Sequence, residues 1–496
     1  MEHEIKHIVG REQDIKQIVE RFIADAAEPA VLDRGEEPLR LIAGQWELAE
    51  WSGRLTLQAW NGNRNLTRRI VSLKEQRRDR LSLLTERFPK LQAELQIADL
   101  AVPNARDIER RMTRLAFRDR FALMLAREFP QWSLAEVSAE TNLEASLSPA
   151  YVRAFLRRAE AGIAVMAAPP DSSDCAAVVP LGLIWLEYLR SREKRMNIGQ
   201  LLLYTPATQE QDAAFRTAMI DPTRAEVRLC IYDQKLRAAE IDPADVGNVD
   251  STLPVCRRAA TLAGAAPDLA LPGVDRISQS DGSVSYEVRG LEFARWSGER
   301  LMCGVARKTR STVNDASALA MELLRVRNSA SEDRQHPLYA RNPEGWLEAQ
   351  VRANPAAIDA TLCNSPLYGQ VPVFAGRDRG IVDLLGVDHE GRLAVIELKA
   401  SADLHLPFQA LDYWLRVRKH LMAGDFERLG YFSGITVRRE SPRILLVAPA
   451  LELHSTSETL IRFLRPEVDV LRIGLSADWR RELKVVLRLR GPETPC

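Results

Sequence analysis

Apolar residues recur at helical spacing from Ile5 to Ala27, with Ile15, Ile18, Val19, Phe22 and Ile23 on one stripe. The pattern predicts an amphipathic helix suited to packing or self-association. From Leu39 to about Ala101 the period changes to two. Runs such as Arg54-Leu55-Thr56-Leu57-Gln58 and Arg80-Leu81-Ser82-Leu83, separated by turn residues such as Asn61-Gly62-Asn63, predict a small antiparallel β domain. Between Asn104 and about Asp250, helical patterns alternate with apolar runs at 162–167, 198–204 and 227–232, which is the pattern of an α/β domain. Ala259 to Pro272, rich in Ala, Pro and Gly, reads as a connector. Val284-Ser285-Tyr286-Glu287-Val288 alternates like a strand of a second β segment, Asn314 to Arg327 is helical, and 328–334 is polar. The boundaries this implies are 1–103 for the N-terminal helix and β module, 104–255 for the α/β domain, 256–335 for the connector and β segment, and 336–496 for a last domain.

That last domain carries the chemistry. Ile381-Val382-Asp383-Leu384-Leu385-Gly386-Val387 and Leu393-Ala394-Val395-Ile396-Glu397-Leu398-Lys399 have the composition of strands, and Asp388-His389-Glu390-Gly391-Arg392 between them reads as a hairpin connection. With His389-Glu390-Gly391 as a three-residue loop and Gly391 in the left-handed position, Asp388 pairs with Arg392. Counting five residues outward sets Asp383 opposite Glu397, with Cβ atoms about 4.5–5.5 Å apart. Alternation then places Lys399 on the face of Glu397, while Ala394, Ile396 and Leu398 point the other way. Two carboxylates so placed repel unless compensated, and a hard divalent cation such as Mg²⁺ or Mn²⁺ is the simplest compensation. A nearby lysine would orient a water or stabilise charge on a phosphoryl centre.

Flanking elements extend the pattern. Asn342-Pro343-Glu344 is a helix start, with Leu347, Val351 and Ile358 at helical spacing and Glu348 on the same helix. After the hairpin, Pro407 to Leu415 begins a second helix with Gln409 and Tyr413 one turn apart, and Arg443 to Ala448 is a strand. Helix with Glu, hairpin with D and ExK, helix with QxxxY, then strand: over residues 336–450 the chain resembles the PD-(D/E)XK nuclease superfamily, the restriction-endonuclease-like fold, in its RecB-like branch. Val382 stands where the family's namesake proline often is. The resemblance implies an αβββαβ core in which Asp383 and Glu397, with the Leu398 carbonyl and Glu348, hold Mg²⁺ or Mn²⁺. It implies that Lys399 positions the attacking water, and that Gln409 and Tyr413 hold the DNA backbone or the site's network. The fold class expected for the whole is therefore mixed α/β and multidomain.

Composition adds limits more than direction. The chain has 496 residues, enough for about three or four domains, and 46% hydrophobic with 27% charged residues is ordinary for a globular protein. Six scattered cysteines form no CxxC, and seven histidines form no HxH or HExxH, so neither a disulfide framework nor a zinc site is supported. The most apolar stretch, Ala176 to Leu186, contains Pro180 and is too short to span a membrane. No P-loop or dinucleotide fingerprint is found, and the charged N-terminus lacks a signal sequence, so a cytoplasmic location is expected. The net charge is zero, yet arginines cluster at 64–80 below Trp51 and Trp60, at 106–120, and at Arg416, Arg418 and Lys419 beyond Tyr413. The last group adjoins the site and is the expected nucleic-acid contact. For the others, a solvated face paired with local acids is the alternative.

Two internal echoes complete the reading. Ala164-Val165-Met166-Ala167-Ala168-Pro169 aligns with Ala394 to Lys399, which puts Ala167 and Pro169 at the Glu and Lys positions of a second, degenerate nuclease-like domain. Trp51-Ser52-Gly53-Arg54-Leu55 echoes Trp296-Ser297-Gly298-Glu299-Arg300-Leu301. The expected function is a metal-dependent nuclease acting on DNA in preference to RNA, its N-terminal modules recognising substrate, a partner protein or a second copy of the chain. Two alternatives stay open: a catalytically inactive nucleic-acid-binding scaffold, and an effector nuclease gated by a ligand in the middle domain.

Overall fold

The computed structural model describes residues 12–491, apart from 34–35, 52–53, 63, 88–90, 246, 248–250, 257–265, 270, 279–282 and 376–377. The start of the expected first helix, Ser52 and Gly53 of the tryptophan echo, Asn63, most of the connector and Cys496 lie outside the described residues. Those described form a mixed α/β chain with four sheets and ten α-helices. They group into two compact units, one of residues 1–178, 189–209 and 230–240, the other of 179–188, 210–229 and 241–496.

The first unit opens with α1 (Glu12–Asp25) and seven strands, β1 (Pro29–Asp33), β2 (Leu39–Arg40), β3 (Trp46–Trp51), β4 (Arg54–Asn61), β5 (Arg64–Gln76), β6 (Arg80–Arg87) and β7 (Leu91–Asp99). They form one antiparallel sheet in the order β2-β1-β7-β6-β5-β4-β3. The stripe of α1 is spent on packing within this module: Ile15, Val19 and Ile23 are buried against Leu48, Leu57, Leu66 and Leu83 of the sheet. Several of its arginines are engaged by local acids, Arg68 with Asp33, Arg64 with Glu36, and Arg77 and Arg80 with Glu75.

A long helix, α2 (Pro103–Glu128), leads to β8 (Ser133–Ser138), β9 (Val152–Arg158) and β10 (Ala161–Ala167). Then come α3 (Val178–Arg192), β11 (Asn197–Pro206), α4 (Gln211–Ala218), β12 (Glu226–Tyr232) and β13 (Ala238–Ile241), the strands lying in the order β13-β12-β11-β10-β9-β8. The apolar stretch at 176–186 starts α3, with Pro180 in the first turn where its missing N–H is tolerated. Among the described residues no helix is long and apolar enough to cross a membrane.

In the second unit a five-stranded antiparallel meander, β14 (Asp275–Ser278), β15 (Val284–Val288), β16 (Leu291–Trp296), β17 (Leu301–Cys303) and β18 (Thr309–Arg310), precedes α5 (Val313–Val326). Thr312 and Asp315 close a capping box on α5. The tryptophan echo falls on non-equivalent hairpins, β3–β4 in one meander and β16–β17, third in line, in the other. Beyond α5 come α6 (Pro337–Ala340), α7 (Pro343–Ala353), β19 (Tyr368–Ala375), β20 (Asp378–Val387), β21 (Leu393–Leu398), α8 (Leu406–Met422), α9 (Asp425–Arg428), β22 (Arg443–Pro449), α10 (Ser455–Arg462), β23 (Asp469–Leu475) and β24 (Val485–Arg490). Their sheet runs β19-β20-β21-β22-β23-β24, antiparallel through β21, parallel from β21 to β23, and antiparallel at β24.

The two helices flanking the hairpin take opposite faces of this sheet. Trp346, Leu347 and Val351 of α7 pack on Leu384, Ala394, Ile396 and Leu398, whereas Tyr413, Val417 and Leu421 of α8 pack on Leu385, Val387, Leu393 and Val395. The α7 helix is shorter than the sequence pattern: Pro355 cannot continue it, and Ile358 follows a separate 3₁₀ turn. Arg327, just past α5, fixes where α7 begins. Its buried guanidinium donates to the carbonyls of Val288 (3.1 Å), Arg289 (2.9 Å), Leu338 (3.1 Å), Tyr339 (3.4 Å), Arg341 and Asn342 (3.0 Å), and lies 4.8 Å from the ring centre of Trp346. Asn342 caps α7 through Gly345 N–H and donates to the Gly290 carbonyl at 3.0 Å, so the β15–β16 turn is tied to the same helix end. Gly290 is required at that turn, since its φ is +69° and a Cβ would run into the Gly345 carbonyl.

Candidate active site

The hairpin has the expected frame. Asp388 N–H donates to the Arg392 carbonyl at 2.9 Å, and the Asp388 carboxylate accepts from Glu390 and Arg392 N–H, stiffening the loop from within. Gly391 has φ +89°, and a Cβ there would meet the Thr436 carbonyl. From this loop the register runs Val387–Leu393, Gly386–Ala394, Leu385–Val395, Leu384–Ile396. One step further it sets Asp383 against Glu397. Each carboxyl reaches the main chain of the other strand: Asp383 N–H donates to Glu397 Oε1 at 3.4 Å, and Leu398 N–H donates to Asp383 Oδ2 at 2.9 Å.

Glu397 is fully buried, and its Oε2 has no hydrogen-bond partner among the described residues. Burial first, and the neighbouring Asp383 second, hold its carboxyl well above the usual range. Burial also raises Asp383, against the opposing pull of Leu398 N–H and Lys399. Lys399 follows Glu397 on the same side, its Nζ 3.9 Å from Glu344 Oε1 and 3.9 Å from Asp403 Oδ2. Glu348, on α7, feels Asp383 and Glu287; burial is the main cause that pushes it up to about 7, against its ion pair with Arg352.

Asp383, Glu397, Lys399 and Glu348 are thus brought together. Sequence reasoning passed over Glu344, Asp403 and Glu287. Glu344 lies one turn before Glu348 and was legible from the i, i+4 spacing. Glu287 comes from β15, about sixty residues upstream, and no local pattern announces it. The Gln409 side chain donates to the Tyr413 hydroxyl at 3.4 Å, and Tyr413 is packed in the apolar cluster under α8. Arg416 is buried, Arg418 lies 5.1 Å over the Trp414 ring, and Lys419 is half-buried. Of the three cations expected to meet a nucleic acid, Arg416 therefore points away from solvent.

Among the described residues no three His, Cys, Asp or Glu side chains form a ready metal cage. The donor set still fits a hard cation that keeps much of its water. Mg²⁺ is commonly held by one or two carboxylates, with waters and substrate oxygens completing its shell. Asp383 and the orphaned Glu397 oxygen supply that pair.

No protein family and no curated protein matches this chain. Among solved structures, that of EndoMS in apo form aligns with 46% of this chain and 98% of its own length, at 10% sequence identity and a TM-score of 0.15. A likeness that slight says nothing about the chemistry of the site.

Proposed function

We propose that the C-terminal module is a Mg²⁺- or Mn²⁺-dependent nuclease of the PD-(D/E)XK type, hydrolysing phosphodiester bonds in DNA. The observation that carries this reading is the pairing of Asp383 with Glu397 around a buried, partnerless carboxylate oxygen, with Lys399 on the same side. The order α7-β19-β20-β21-α8-β22 supports it as the αβββαβ arrangement of that superfamily. Asp383 and Glu397, joined by the Leu398 carbonyl and by Glu348, would hold the ion; once bound, it supplies Lewis-acid polarisation of phosphate and a more acidic water. Lys399 would orient that water and offset charge on the phosphoryl oxygens, held in place by Glu344 and Asp403. The Gln409–Tyr413 pair and the Arg418 and Lys419 side chains would hold the DNA backbone.

The test is cleavage of plasmid, linear duplex and single-stranded DNA, and of RNA, with Mg²⁺, Mn²⁺ or EDTA, beside Asp383→Ala and Lys399→Ala. Metal-dependent cutting of DNA that Asp383→Ala abolishes and Lys399→Ala slows by about 10²-fold or more is the expected result. Equal activity in the variants, or none with either metal on any substrate, would overturn the reading and leave a binding or scaffold role.

A further inference from the structure

The middle module repeats the order of the C-terminal one. Helix, three strands, helix, strand, helix and two strands follow one another in both, with the short α9 as an addition after α8 in the C-terminal module, and the strand orders β8-β9-β10-β11-β12-β13 and β19-β20-β21-β22-β23-β24 correspond one to one. In each, the first three strands are antiparallel and the third pairs with the fourth in parallel. In each, the helix before the sheet packs on the same face: Phe117, Phe121 and Leu125 of α2 against Val152, Ala154, Ile163, Val165 and Ala167, as α7 packs against Leu384, Ala394, Ile396 and Leu398.

These faces fix the alignment, and they move it by one residue from the one the sequence gives. Ala167 faces α2 as Leu398 faces α7, so Ala167 cannot occupy the Glu397 position; a one-residue slip exchanges the two faces of a strand. The main chain agrees. Lys399 N–H donates to Val447 O, the parallel partner of Leu398, and Ala168 N–H donates to Tyr204 O, the parallel partner of Ala167, both at 3.0 Å. The slip arises in the hairpin. Arg158 pairs with Ala161 across a two-residue loop, where Asp388 faces Arg392 across three residues. With that deletion allowed for, Met166 stands at the place of Glu397, Ala168 at that of Lys399, and Arg153, the antiparallel partner of Met166, at that of Asp383.

We infer that the middle module is a vacated copy of the nuclease module, so that each chain has a single cutting centre and breaks one strand of duplex DNA per encounter. A fixed guanidinium and a thioether replace the two carboxylates, and neither can hold a cation. The inference rests on the nuclease reading of the C-terminal site. It is tested on supercoiled plasmid with Mg²⁺ or Mn²⁺. Open circles should accumulate almost completely before linear product forms, at a rate proportional to the first power of protein concentration, and Asp383→Asn should abolish every cut.

Linear product from the outset, a rate rising with the square of concentration, or residual nicking by Asp383→Asn would overturn the inference while leaving the nuclease reading intact. No cleavage by the wild type would overturn both. A readout independent of catalysis is Mn²⁺ binding, followed by the spin-resonance signal of the unbound ion. One saturable class is expected in the wild type and none in Asp383→Asn; a remaining class of equal affinity would place a second cation site in the chain and refute the vacated copy.

Discussion

Glu397, Asp383 and Glu348 are three carboxyls whose proton affinities are raised chiefly by burial. A carboxyl raised on folding binds its proton more tightly in the folded chain. The stability it contributes is present below the unfolded value and is lost as pH rises through the folded one. For Glu348 that window runs from the ordinary 4.5 to about 7. In EDTA, wild-type stability should therefore fall between about pH 5 and about pH 8, and Glu348→Gln should remove about 2 kcal/mol of that fall, read from urea unfolding at the two pH values. An identical slope in the variant would show that Glu348 ionises normally. Lys399 makes a different prediction, because it acts on the reacting centre. Lys399→Ala should lower the DNA cleavage rate by about 10²-fold or more at saturating substrate and metal, with the melting temperature nearly unchanged.

At the scale of elements, two junctions hold the site. The hairpin loop depends on Gly391, whose backbone conformation and contact with Thr436 exclude a side chain. Gly391→Ala should cost about 1–3 kcal/mol of stability, measured by chemical unfolding. The start of α7 depends on Arg327, which gathers carbonyls from β15, the turn after it, α6 and the N-cap of α7. Arg327→Met would strand several buried acceptors and should cost at least about 3 kcal/mol. Arg327→Lys should recover only part of that, because an ammonium cannot reproduce the planar fork.

The same junctions explain what could be read from the chain alone. The hairpin was legible because its loop and its period-two alternation both lie within twenty contiguous residues. The middle copy was misframed by one residue because a single deletion in the 159–160 loop shifts every later position, and only burial against α2 reveals it. Arg327 and Glu287 were illegible because their partners are distant in sequence.

For the whole molecule, a net charge of zero gives no general attraction to nucleic acid, and several arginines of the first module are engaged by local acids. Recognition must then be concentrated on limited surfaces, and cleavage should weaken with added salt less steeply than for a strongly basic nuclease. The two copies also divide one electrostatic problem between them. The C-terminal module holds carboxyls whose protons burial retains and a bound divalent ion would displace, whereas Arg153 gives the middle module a cation it cannot lose. One copy should therefore sense the divalent-ion content of its surroundings, and the other should be indifferent to it. Amide hydrogen exchange with Mg²⁺ added or chelated should show slowing around 380–400 and 343–353 and an unchanged profile across 152–168, two modules of one architecture that answer the solvent differently.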